Sequence, residues 1–485
     1  MNEQPPSQLS TDALYELLRP VTVRPESPRS RFYNWAHTYT CKPVAVFEPE
    51  HERQCELIVE LARREGKTVR AAGVGHSPSD LPCTKDFLVR VTKLNRLLEA
   101  NYEKRYIVVE SGITLVDLNE QLLQHNLALT SIGSISEQTL AGTIVTVNHG
   151  SGLNYGTLST HVLELTILLA DGSKVRCSRE ELQDLFMATI CGLGSTGLIL
   201  TIKFEVEPAF RLEERRFALT FDEAMESFFD LAQRSQHTRL WWFPQTNLMQ
   251  VSLADRTDKP KHREHSWLWE TVIGYHLVQL LLFLGLFAPT LNVWAGRLVS
   301  WLIQEPTDAV DDSHCIFNVE HRYWQYTIEY AVDYREAPAC LRDLRKWLDK
   351  EHSDPCGLRP HFPIEIRFSS ADDIWLSPSN GRTTCWIGIA QYKPYGLDVP
   401  YRRLFDEYGA IIARHGGRPH WAKAHHLRPE EVRKLYPKFD DFLRTVKKYD
   451  PSGMFRNEYV GRHIFGASGP EYYEGVFLRY VPLRA

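Results

Sequence analysis

A helix between two short strands, the second running straight into a loop of small residues, constrains this chain more than any other feature. Val44 to Phe47 reads as an apolar strand. Pro49 with Glu50 and Glu52 then opens a helix, since proline needs no amide partner and acids oppose the N-terminal dipole. Cys55, Ile58 and Ala62 recur at helical spacing, and Gly66 marks the stop. Thr68 to Ala72 returns as a strand and delivers Gly73-Val74-Gly75-His76-Ser77-Pro78-Ser79-Asp80. The glycines allow a tight turn and close approach to a ligand, while successive amides and the hydroxyls of Ser77 and Ser79 suit a diphosphate. Taken alone, Gly-x-Gly is equally consistent with a structural turn, and His76 with a buried, hydrogen-bonded ring.

Further along, Tyr106 to Val109 reads as a strand, and a helix begins at Thr114 with Leu115, Leu118 and Leu122 on one face. A second small-residue stretch runs from Ser131 to Thr143 and leads to His149-Gly150-Ser151-Gly152, whose hydroxyls and bare backbone suit the floor of a flat cofactor. Val162 to Ala170 and Leu198 to Val206 are strand candidates, with Asp171-Gly172 as a hairpin turn and Gly192 to Gly197 as another bare loop. In the second half, Ile364-Glu365-Ile366-Arg367-Phe368 alternates, so Glu365 and Arg367 share a face opposite the apolar residues. Such a pair is either a surface ion pair or one wall of a cavity. Pro429 to Lys448 reads as one helix, and Asp450 to Phe455 as a turn.

With 485 residues, two domains are expected. The 56 basic and 61 acidic side chains give a net charge of -5, and no basic run of phosphate-binding length occurs, so nucleic acid is not an expected partner. The nine cysteines are dispersed without zinc-type spacing, which points to reduced thiols and no metal. Met1 to Ser30, rich in proline, serine and charge, reads as a loose tail. Val272 to Ala288 is apolar and flanked by Trp267, Trp269 and Trp294; as a helix it spans ~26 Å, short of the ~30 Å hydrocarbon core. With Leu291 to Ile303 beyond Pro289, it forms either buried cap helices or an interfacial membrane attachment, which the flanking aromatics favour.

Asn34-Trp35-Ala36, the octad from Gly73, Ser131 to Gly142, and Arg418-Pro419-His420-Trp421-Ala422-Lys423 occur in an order that resembles the aldonolactone oxidoreductase family of the vanillyl-alcohol oxidase superfamily, over roughly Arg31 to Tyr459. The stretch from Gly133 to Gln138 leans toward the fungal branch. The resemblance implies an α+β protein: a flexible tail over 1–30, a PCMH-type FAD-binding domain of two α+β subdomains over 31–206, a cap over 207–423 carrying the apolar segment 266–303, and a return of 424–485 to the FAD domain. It implies a covalent bond from His76 to the flavin 8α-methyl, and FAD contacts at Gly73, Val74, Gly75, Ser77, Ser131, Gly133, Thr139, Gly142, Thr146, His149, Ile199 and His420. Glycine at 133, where the plant dehydrogenase carries alanine, implies room for dioxygen. Val147 stands where the family usually has glycine, which implies either a tolerated side chain or a shifted flavin floor. Glu365, Arg367 and Lys423 are the implied catalytic residues: the first two hold the lactone, and Lys423 supplies a cation near flavin N1. The implied reaction oxidises a sugar-acid 1,4-lactone at C2 with dioxygen as acceptor, on a membrane surface, the mitochondrial outer membrane being favoured over the endoplasmic reticulum. A dehydrogenase passing electrons to cytochrome c shares every motif, and a polyol oxidase shares the fold.

Overall fold

The computed structural model describes residues 4–262, 275–319, 323–361 and 363–468. The first helix of the strand–helix–strand unit runs Glu52–Glu65, with extended His51 as its N-cap and Gly66 closing it at φ 62°. It starts later than Pro49, because the chain stays extended through His51. The strands Ala45–Phe47 and Val69–Ala72 do not pair with each other; each pairs in parallel with Phe87–Arg90, which lies between them. A helical crossover makes that parallel arrangement possible, and the octad leaves from a strand's C-terminal end, where open α/β sheets bind ligands.

The stretch read as a loose tail is partly structured. Thr11–Leu18 is a helix capped by Ser10, whose side chain accepts from Ala13 N, and Leu14 and Leu18 are buried with Cys55, Ile58 and Ala62. Two leucines at i,i+4 behind a serine cap were enough to dock it, although the flanking residues read as polar.

A five-stranded antiparallel sheet completes the first half, in the order Lys174–Ser178, Val162–Leu168, Leu198–Glu205, Tyr106–Glu110, Leu97–Asn101. The second half is built on an eight-stranded antiparallel sheet: Thr307–Asp312, Arg211–Thr220, Leu248–Thr257, His237–Phe243, Ile364–Ser369, Thr384–Tyr392, Gln325–Asp333, Arg418–Pro419. The helices Ala337–Ser353 and Arg402–Arg414 cover one face of it, packing Leu341, Leu344, Tyr408 and Ile412 against Ile328, Ile364, Ile366, Phe368 and Ile387. The other face is polar around Glu365 and turns toward the first half.

The chain then returns. The single helix expected from Pro429 is two, Pro429–Leu435 and Phe439–Tyr449, broken where Pro437 cannot continue the helical bonds. Val432, Phe439, Phe442 and Val446 join the core of the first half beside Leu165 and Phe186.

The apolar segment folds as two short helices, Val278–Leu284 and Thr290–Leu302, that bury Val278, Leu282 and Ala295 against each other. Their outer face exposes Leu280, Leu284, Phe287, Trp294 and Trp301, with Phe287 71% accessible. Trp267, Trp269 and Val272 lie outside the described residues. Among the described residues no helix is long and apolar enough to cross a membrane.

Candidate active site

A cavity of about 690 Å³ lies between the octad and the polar face of the cap sheet. Gly73, Val74, Gly75, His76 and Ser77 form one wall, and Thr139, Gly142, Thr146 and His149 the floor. Glu365, Arg367, His420 and Lys423 line the side toward the cap. Thirteen residues chosen from sequence thus meet around one space.

The separated motifs are tied together through the octad. Trp35 N donates to Gly75 O at 2.8 Å, and the Trp35 ring stacks on His76 with centroids 5.3 Å apart. Asn34 Nδ2 donates to Ser77 O at 3.1 Å, while its Oδ1 accepts from Thr38 N and Tyr39 N. Ser79 Oγ donates to Ala422 O at 2.9 Å, which joins the octad to the segment carrying His420 and Lys423. Gly75 has φ +85°, where side chains other than glycine's are strained, and a Cβ there would press on Phe32 and Tyr33 O.

Three expected contacts do not line the cavity. Ser131 Oγ packs on the backbone of Gly150, and Ile199 is buried in the core of the first half. Gly133 faces Asn148: a methyl there would collide with Asn148 Oδ1. The space that glycine leaves is filled by the Asn148 amide, which lines the cavity and donates to Gln138 Oε1 at 2.7 Å. Any effect of residue 133 on access to the cavity therefore acts through Asn148.

Val147 resolves the other open expectation. It has φ +60°, immediately after the cap of helix Leu140–Val145. Its amide donates to Ile144 O and that of Asn148 to Thr143 O, the Schellman closure usually given to glycine. A left-handed residue with a Cβ costs about 1–2 kcal/mol. Burying the valine side chain, here wholly inaccessible in the main core, returns about 1.5–3 kcal/mol. Burial offsets strain, so valine is held in the turn a glycine would make, and His149 is delivered to the floor.

On the cap side, Arg367 Nε lies 3.5 Å from Glu365 Oε2, and Ser134 Oγ donates to Glu365 Oε1 at 3.3 Å. A second acid that the sequence reading missed, Glu329, receives Arg367 Nη2 at 2.7 Å. Burial alone would lower the pKa of Arg367, but Glu365 and Glu329 outweigh it and raise it. Burial alone would raise that of Glu329, yet the Arg367 guanidinium holds it well below the usual carboxylate range. Lys423 is lowered, by burial first and then by Arg367, against the pull of Glu329 and Glu365. The signal for Glu329 was present: Gln325, Thr327 and Glu329 alternate with Tyr326, Ile328 and Tyr330, a polar stripe on a cap strand.

The residues fit FAD. Arg70 lines the cavity beside the octad with its Nε buried and without a hydrogen-bond partner among the described residues, a cation suited to a diphosphate. His76 looks into the same space from a glycine-flanked loop, and cations stand on the far wall.

An α+β nucleotide-binding half facing an antiparallel cap across such a cavity defines the FAD-dependent oxidoreductases of the PCMH type. The fold is shared with cholesterol oxidase from B. sterolicum, at TM-score 0.75 and 15% identity over 92% of this chain and 99% of that one. Residues 43–178 match the FAD binding domain family, and residues 202–463 the D-arabinono-1,4-lactone oxidase family. The chain is 40% identical to the L-gulonolactone oxidase of Scyliorhinus torazame and 36% to that of Mus musculus, each over 90% of this chain and 98% of the relative. It is 27% identical to the D-arabinono-1,4-lactone oxidase of Yarrowia lipolytica over 90% of this chain and 98% of that one. The chain belongs to the D-arabinono-1,4-lactone oxidase family, and its chemistry is FAD-dependent oxidation of an aldonolactone. The lean toward the fungal branch read from Gly133 to Gln138 is not matched by the identities, which are higher with these animal enzymes.

Proposed function

We propose that the chain oxidises an aldono-1,4-lactone at its C2 carbinol and passes the electrons to dioxygen, giving hydrogen peroxide and a 2-keto lactone that enolises to an ascorbate-type enediol. The observation that carries this reading is the Glu365–Arg367 pair and Lys423 facing the His76 loop across one cavity. FAD held there supplies the hydride acceptor. Arg367, held by Glu329 and Glu365, lends its charge to the lactone oxygens, and Glu365 orients the C2 hydroxyl. Lys423 offsets negative charge as it develops on the cofactor side. The test is a panel of aldonolactones and open-chain polyols with purified protein. Lactone-dependent peroxide under air supports the proposal. Rapid cytochrome c reduction with little peroxide favours the dehydrogenase, and a preference for polyols overturns the substrate.

His76 is proposed as the covalent anchor, since its ring is held at the cavity wall by Trp35. Acid-precipitated wild type is expected to give a yellow pellet, and His76→Ala a colourless one with free FAD in the supernatant. Colour lost from the wild-type pellet removes the covalent bond.

The exposed face of Val278–Leu284 and Thr290–Leu302 is proposed to lie on an intracellular membrane, the mitochondrial outer membrane being the first candidate and the endoplasmic reticulum the second. Its support is the run of accessible Leu280, Leu284, Phe287, Trp294 and Trp301. Flotation with lipid vesicles is expected to carry the protein upward. Replacing Phe287, Trp294 and Trp301 with serine is expected to abolish it. A wild-type protein left at the bottom of the gradient speaks against attachment, and cell fractionation decides between the two membranes.

A further inference from the structure

The cavity holds a second carboxylate that the Glu365–Arg367 pair does not account for. Glu329 and Glu365 both register opposite Gly388, so the two acids face the cavity with only a glycine on the strand between them. Glu329 Oε1 lies 2.7 Å from Arg367 Nη2 and 3.4 Å from His149 Nε2. The His149 ring is held in place: it stacks on Trp386 with centroids 3.8 Å apart and planes 11° from parallel, and its Nδ1 lies 3.0 Å from Gly150 O. A carbonyl oxygen only accepts, so Nδ1 carries the hydrogen and Nε2 is the basic nitrogen. That nitrogen is buried, lacks a hydrogen-bond partner among the described residues, and looks at a carboxylate oxygen. A proton arriving there turns a repulsion between lone pair and anion into a charge-assisted hydrogen bond.

We propose that His149 Nε2, backed by Glu329, takes up the proton released when the substrate carbinol is oxidised and gives it back when dioxygen is reduced. This rests on the reading of the chain as an aldonolactone oxidase. The carbinol loses its C–H hydrogen with both electrons as hydride, and its O–H hydrogen as a proton. Dioxygen then receives the two electrons with both hydrogens as peroxide, so the redox steps themselves release no net proton; the enediol product is an acid and gives up its own proton separately. The charged and titratable groups around the pair are Arg367 and Glu365 from one strand and His420 and Lys423 from the segment after Arg418–Pro419. Burial and then Arg367 depress the basicity of His149 while Glu329 supports it, and negative charge building beside the ring strengthens its hold on a proton. His149, Glu329 and His420 also have the spacing of a metal triad, their ligand atoms lying within 4.8 Å of one another. The guanidinium already bound to Glu329, with Lys423 nearby, favours a proton there over a cation.

The experiment counts protons. Holoenzyme is mixed anaerobically with excess lactone in weak buffer containing a pH indicator, and flavin bleaching is recorded in parallel. Glu329→Gln is expected to release about one proton more per flavin bleached than wild type, the acid of the enediol product being common to both. Should Glu329→Gln fail to fold, His149→Asn makes the same comparison. Equal release per flavin from wild type and variant overturns the proposal. No bleaching with any aldonolactone overturns the substrate reading and this inference with it, so the two failures are told apart.

Discussion

Lys423→Met is expected to slow lactone-driven flavin reduction by about two to three orders of magnitude, the loss typical of removing one preorganised electrostatic group from a reaction site. Methionine keeps most of the lysine stem, so the packing changes little and the effect isolates the charge. Around Arg367 the cavity wall sets two acids, Glu329 and Glu365, beside Lys423; the other lining cations are Arg216, paired with Glu214, and Arg70, bound to Leu193 O. Arg367 is already committed, 2.7 Å from Glu329 and 3.5 Å from Glu365. Lys423 makes neither of these close pairs; it interacts with both acids at longer range. Removing it leaves the carboxylates in excess where negative charge develops. Anaerobic rapid mixing should show the slow phase in a protein that keeps its flavin and its melting temperature. A near-normal bleaching rate takes Lys423 out of the mechanism.

The parts of this site that the sequence disclosed are those whose demands fall on adjacent residues. The octad could be read because strand, tight turn, hydroxyls and histidine follow one another within the segment Val69 to Asp80. Glu365 and Arg367 could be read because strand alternation places i and i+2 on one face. Glu329 was missed although its strand alternates as cleanly. Its meaning comes from Arg367 and His149, which stand on a strand two places away in the sheet and on the opposite half of the molecule. Nothing local distinguishes it from an acid on a solvated strand.

Backbone conformation was less legible than chemistry. That Val147 departs from a glycine pattern was visible, but whether the turn bends to the side chain or the side chain submits to the turn depends on burial. Leu140, Ile144 and Leu158 are among the residues of the core that holds it. The same holds for Thr11–Leu18, whose polar flanks concealed an apolar pair that needed the helix Glu52–Glu65 to become a docked element. Gly133 is the reverse case. The residue type was read correctly as a missing methyl, and only the structure identifies Asn148 as the group occupying that space.

Arg462→Met is expected to destabilise the fold by about 3–5 kcal/mol, because it removes one partner of a buried ion pair. Arg462 Nη2 lies 2.8 Å and 3.0 Å from the two carboxylate oxygens of Asp80, and both side chains are only 4% accessible. Asp80 closes the octad that carries His76, whereas Arg462 follows the short C-terminal helix Glu458–Val460. The same segment sends Asn457 Nδ2 to Leu81 O and Cys83 O, and the Tyr459 hydroxyl to Trp421 O. The returning chain is thus a clamp on the flavin loop, and Arg462 is its charged element. Calorimetry should record a lower melting temperature for Arg462→Met together with reduced flavin content, since the loop is loosened where FAD is held. Asp80→Asn combined with Arg462→Met should recover part of the loss, because a neutral amide is less costly to bury than a carboxylate that has lost its guanidinium. If the single variant melts with the wild type, the clamp rests on Asn457 and Tyr459 alone, and the ion pair adds nothing to the stability of the site.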